Sequence, residues 1–119
     1  MSTCLIGTSI PLEVKYPDGT YILLEVNSNS VFENGIRTDK IDGYKYLAVD
    51  TLFFDRINVK ILGQKEPLIS NEQLQEMRKT GQKVIVEFID GVIKPYWSRD
   101  TRSIEDSFSA NDIRLVETN

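Results

Sequence analysis

Two short runs carry the residues best suited to chemistry: Tyr44-Lys45-Tyr46, and Lys94-Pro95-Tyr96-Trp97-Ser98-Arg99 with Arg102 close behind. Both interleave aromatic rings with cations. Unpaired nucleobases stack on exposed rings while ammonium and guanidinium groups hold phosphates, and the strands of small barrels present such side chains well. With Lys60 from a third strand, the candidate nucleic-acid-binding set is Tyr44, Lys45, Tyr46, Lys60, Lys94, Tyr96, Trp97, Arg99 and Arg102. Aromatic residues in strands also serve as core and cross-strand packing, so the pattern alone leaves both uses open.

Other chemistry is poorly supplied. The chain has no histidine, which removes the commonest general base and metal ligand, and no serine or cysteine sits in a nucleophile elbow. The single Cys4 has no partner for a disulfide and no second ligand for a metal motif, which suits a reducing compartment. Asp39 and Asp42 in DKIDG fall short of a calcium loop, which needs more oxygen ligands and a closing glutamate. Gly35, Gly43, Gly63 and Gly91 stand at turns or strand ends and do not cluster into a phosphate cradle. The residues therefore predict a protein that is not an enzyme and needs no cofactor or metal.

Composition bounds the partners. At 119 residues, with 40% hydrophobic and 27% charged, the chain fits one globular domain, residues 1–119. No apolar run approaches the roughly 20 residues of a membrane helix, and the first ten residues lack a signal-peptide pattern, so no membrane partner and a cytoplasmic location are expected. The net charge of −4 argues against a nonspecific polyanion binder, but the charge is uneven. Six basic residues against four acidic ones make 36–65 net +2, and six against three make 77–102 net +3, while the other segments are acidic. The two basic segments either fold onto one face or disperse into a mixed solvated surface.

Strands must position these residues. Val84, Val86 and Phe88 fall on one face of a period-two strand, and Asp90-Gly91 favours a tight reversal, which predicts a hairpin over 82–97 with Phe88 opposite Ile93 and Glu87 opposite Lys94. Pro95 cannot donate to a ladder, so that end of the second strand is expected at an edge. Leu12, Val14 and Tyr16 alternate before Pro17-Asp18-Gly19, which predicts another hairpin with Thr20 to Val26. Residues 27–43 read as a long loop or a ragged hairpin around Asn34-Gly35 with few apolar anchors, Val31, Phe32, Ile36 and Ile41. Strands are expected over 44–51 and 56–62, the second with Ile57, Val59 and Ile61 inward. Ser70 is an N-cap for a short helix over 71–79 whose apolar stripe is only Leu74 and Met77. Residues 98–107 read as a polar loop, and 108–116 hold a last strand. The fold class is mainly β: a small antiparallel β-barrel or rolled sheet of five to seven strands with one short helix.

At the 82–97 segment and the tail the sequence resembles a family of small proteins encoded by integrative and conjugative elements and plasmids of Gram-positive bacteria. A Val-rich strand runs through a turn into a second strand, as Val86-Glu87-Phe88-Ile89 runs through Asp90-Gly91 into Val92-Ile93. The close is aromatic-x-Ala-x-Asp-Ile, matched by Phe108, Ala110, Asp112 and Ile113, and upstream Tyr46 opens a segment leading to the apolar strand Ile57 to Leu62. The similarity spans Tyr44 to Val116. The chain departs from the pattern in having Gly91 for the turn proline and an inserted helix at Asn71 to Lys79. The resemblance implies an accessory protein that binds single-stranded DNA and helps a helicase unwind the element for rolling-circle replication and transfer, and no enzyme. A second expectation, of a different class, is a protein-interaction module or inhibitor with a protein partner and an acidic surface that mimics DNA, which the pI near 4.8 permits.

Overall fold

The structure, a computed structural model, describes residues 8–33 and 35–118, with backbone alone for 31–33 and 37–39. Cys4, Asn34 and the side chains of Val31, Phe32, Arg37 and Asp39 lie outside that description. The elements run β1 (Ile10–Pro11), α1 (Leu12–Lys15), β2 (Tyr21–Glu33), β3 (Ile36–Asp50), β4 (Arg56–Ile61), α2 (Asn71–Lys79), β5 (Val84–Ile89), β6 (Val92–Ser98), β7 (Ser103–Ser109) and β8 (Asp112–Thr118). The strands form one eight-stranded sheet in the order β1-β6-β7-β4-β3-β2-β5-β8. The protein is mainly β, as expected, but the described residues form eight strands rather than five to seven, with two helices, in a sheet that does not close into a barrel.

The largest correction falls at Asp90-Gly91. β5 and β6 do not pair with each other: β5 lies between β2 and β8, and β6 between β1 and β7. One register runs from Ser98↔Ser103 through Val92↔Ser109 to Ile89↔Asp112 and Val86↔Leu115. Residues 84–98 and 103–118 are thus a single long hairpin that bends at residues 90–91 and 110–111. Asp90 takes a left-handed φ of +54° at the bend. The Asn111 amide donates to the Ile89 carbonyl at 2.9 Å, and its side chain donates to Asp90 Oδ2 at 3.1 Å. One half of the hairpin pairs with β2 and the other with β4, a strand corner of the kind that turns one sheet layer into another. In a flat sheet the second and seventh strands would stand roughly 24 Å apart, more than twice what the short link from Ile89 to Val92 spans, so the sheet must roll.

Rolling encloses the core. Tyr21, Leu23, Tyr46, Ala48, Ile57, Val59, Ile61, Val84, Val86, Ile93 and Ile113 are buried on the inner face, with Leu74 of α2 among them. β4 alternates as its sequence predicts, Ile57, Val59 and Ile61 inward. Phe88 is only partly buried, tilted against Tyr21 with ring centroids 5.1 Å apart. Glu87 pairs with Arg114 of β8 and not with Lys94. Leu12 to Lys15 is a helical turn rather than a strand, because Leu12 and Tyr16, four apart, are both buried while Val14 is exposed. Residues 103–107, expected in a loop, form β7 together with Phe108 and Ser109, and the last strand, expected over 108–116, is β8 at Asp112–Thr118.

Helix α2 is capped by Ser70, whose side chain accepts from the Gln73 amide at 3.2 Å. It docks where β2 bulges between Leu23 and Glu25. There the Leu24 carbonyl accepts from Gln75 and Arg78, each at 2.9 Å, and the Val26 amide donates to Asn71 Oδ1 at 3.1 Å. Backbone groups freed by the bulge are thereby satisfied.

Two ribbons extend beyond their neighbours: the outer part of β2–β3, paired out to Glu33↔Ile36 around residues 34–35, and the outer part of β6–β7. The first is the ragged hairpin of the two sequence alternatives. They account for a radius of gyration of 15.2 Å and extents of 47 × 36 × 23 Å, against about 13.5 Å for an ordinary compact chain of this length. Gly43 sits at the base of the first ribbon with φ +102°, where a Cβ would lie 1.9 Å from the Ile61 carbonyl oxygen.

Candidate nucleic-acid interface

The site is set by the parity of β3 and β4. Tyr44↔Ile61, Tyr46↔Val59 and Ala48↔Ile57 face inward, so the alternate pairs Lys45↔Lys60, Leu47↔Asn58 and Val49↔Arg56 face outward. Lys60 continues the row to Ser109 of β7, which is opposite Val92 of β6. Two residues along β6 on that same face comes Lys94, opposite Ser107, and two further comes Tyr96, opposite Glu105. Lys45, Lys60 and Lys94 therefore share the outer face of the sheet, with Lys60 and Lys94 about 12 Å apart between Cα positions. None of the three is ion-paired with a described residue. The face is not free of acids, since Glu25 stands opposite Leu47 and Glu105 accepts from the hydroxyls of Thr101 and Ser103.

Lys45 directly opposite Lys60 is the unusual feature. Like charges across an antiparallel pair repel, and each side chain is only partly exposed. Arg56, outward on the same strand as Lys60 and exposed, completes a line of cations along β4. It was absent from the sequence set, although the alternation RINVKI already puts it on the face of Lys60.

The remaining candidates separate. Tyr46 is fully buried: its hydroxyl donates to Gln64 Oε1 at 2.6 Å and accepts from the Leu68 amide at 3.1 Å. Burial pushes its ionisation upward, and the ring cannot receive a base. Tyr44 packs partly buried against the core. Tyr96 and Trp97, adjacent in a strand, point to opposite faces, and only Tyr96 shares the face of Lys94. Trp97 is opposite Ile104, and both are about half exposed. Arg99 and Arg102 lie exposed in the turn at the tip of the β6–β7 ribbon, where the Arg102 amide donates to the Ser98 carbonyl at 2.9 Å. Among the described residues β6 has no second paired strand beyond Ile93, the end at which Pro95 lies.

At the other end of the β4 line, residues 51–55 form the β3–β4 loop. Asp50, fully buried, organises it: Oδ2 accepts from the amides of Leu52 at 3.2 Å and Phe53 at 2.6 Å, and the Asp50 carbonyl accepts from Phe54 at 3.0 Å. Asp55 accepts from the Tyr16 hydroxyl at 3.1 Å, and burial with that carboxylate beside it pushes the Tyr16 phenol up to about 12.

Among the described residues no group of three or more His, Cys, Asp or Glu side chains is placed to hold a metal ion. No described helix is long and apolar enough to cross a membrane. No protein-family model matches the chain, and comparison with curated proteins and with solved structures gives no match.

Proposed function

We propose that the protein binds single-stranded DNA on the outer face of β3, β4, β7 and β6, as a non-catalytic accessory protein of a mobile element that supports helicase-driven unwinding. The observation that carries this is the Lys45↔Lys60 pair, two cations held side by side with no described carboxylate paired to either, at a cost in stability. A phosphate lying between them would turn that repulsion into attraction. Lys94 and Arg56 extend the cationic surface in two directions, and Tyr96 offers an exposed ring beside Lys94. The bases are held without base-specific readout. The mobile-element and helicase context rests on the family resemblance of residues 44–116.

Fluorescence anisotropy with a labelled oligonucleotide tests the proposal. Single-stranded DNA should bind more tightly than duplex of the same length, and changing the base composition should alter affinity little. Equal affinity for duplex would refute it. An interaction module with a protein partner is the second possibility, favoured by Ile36 and Ile41, exposed on the β2–β3 ribbon.

A further inference from the structure

Phe54 is a bulky residue at φ +60°, a backbone region that side chains of its size rarely adopt. Its ring gains nothing from burial in exchange, being 71% exposed, and Phe53 and Leu52 beside it are 57% and 43% exposed. Both strain and exposed apolar surface count against stability, yet the loop is fixed by hydrogen bonds from Leu52, Phe53 and Phe54 to a buried Asp50 and from the Asp50 amide to the Asp55 carbonyl. An exposed aromatic pair in a hydrogen-bonded loop, with Phe54 in a strained backbone conformation, is the kind of outlier from which function is inferred.

We propose that Phe53 and Phe54 are a stacking platform for unpaired nucleobases, placed where the cationic line Lys60–Arg56 ends. This rests on the single-stranded DNA proposal and adds the residues that take the bases. Arg56 follows Phe54 by two residues, so a strand whose phosphates run along β4 arrives at the loop. The loop itself bears Asp55, and the adjoining turn, joined to it through Thr20 and Thr51, bears Asp18. Those carboxylates repel phosphate, whereas the face of a base is uncharged and suits an aromatic ring. They also disfavour an anionic bilayer as the occupant.

The test uses the full chain, a labelled oligothymidine and the variants Phe53→Ala, Phe54→Ala and Phe54→Gly, with Lys60→Glu for comparison. Because the rings are exposed, the Phe variants should melt no lower than wild type, and Phe54→Gly should melt higher through relief of φ strain. Each Phe variant should bind about 5- to 150-fold more weakly, the range of one lost base–aromatic stack, with an unchanged salt slope. Lys60→Glu should reduce the slope. Photo-crosslinking of the wild-type complex should attach thymine to the peptide containing residues 51–56. If wild type binds while the Phe variants bind equally well, the platform is refuted and the cationic face stands. If wild type binds no oligonucleotide, the single-stranded DNA proposal itself fails, a separate outcome. Binding to phosphatidylcholine vesicles that is lost in the Phe variants would assign the loop to lipid and overturn the platform.

Discussion

Replacing Lys60 by glutamate should make the protein more stable and a worse DNA binder. The register puts Lys45 opposite Lys60, with no described carboxylate paired to either. Two charges about 6 Å apart at a watery surface interact by about 0.7 kcal/mol, so changing repulsion to attraction is worth about 1.4 kcal/mol before screening. Physiological salt roughly halves this, leaving about 0.5 to 1 kcal/mol. For a domain of this size that raises the melting temperature by about 2 to 5 °C. The gain should shrink in 1 M salt. Affinity for single-stranded DNA should move the other way, falling about tenfold or more at low salt as one phosphate contact becomes a repulsion. Thermal melts and anisotropy titrations on one preparation read both. The double variant Lys45→Glu/Lys60→Glu restores like charges, so its stability should return toward wild type while binding stays lost. A Lys60→Glu protein that is destabilised, or that binds DNA as wild type does, would refute the reasoning.

Three further outcomes follow from the geometry. Gly43→Ala should cost at least about 2 kcal/mol in denaturant melts, because the new methyl meets a backbone carbonyl of β4 and the residue must keep a left-handed φ. Tyr46→Phe should cost about 1 to 3 kcal/mol by leaving Gln64 and the Leu68 amide without their partner, and should leave DNA affinity unchanged, since this ring is structural. The Tyr16 phenol, raised to about 12 by burial and Asp55, is held neutral in the folded state. Its contribution to stability is present below the unfolded value of 10 and is lost as pH rises through 12, so alkaline melts should fall across that window, and Tyr16→Phe should flatten the fall.

How much was legible in the sequence depended on whether the deciding interactions were local. The alternation of Ile57, Val59 and Ile61 and the Ser70 cap are set within a few residues, and both appear as expected. Asp90-Gly91 carries true turn chemistry, since Asp90 does adopt a positive φ. Local chemistry cannot specify whether the flanking strands pair with each other or with third strands, and here the chain bends along a partner that comes later, Ser103 to Thr118. Leu12, Val14 and Tyr16 fit both a strand and one helical turn, because four is a multiple of two and also close to the helical repeat. Residues 103–107 read as a loop because none of them is buried, so this part of β7 needs no apolar alternation. In Tyr44-Lys45-Tyr46 the sequence offered both the rings and the cation as contacts. Pairing with β4 decides between them, turning Tyr46 into the core and leaving Lys45 outside.

The most direct test of the central claim is the salt dependence of wild-type binding to single-stranded DNA. Under the proposal Lys45, Lys60, Lys94 and Arg56 each neutralise one phosphate, and each would contribute about −0.7 to the slope of log K against log salt. With three or four engaged, the predicted slope is about −2 to −3, with single strands preferred over duplex. A slope near zero, or no binding at tens of micromolar protein in low salt, would contradict the account.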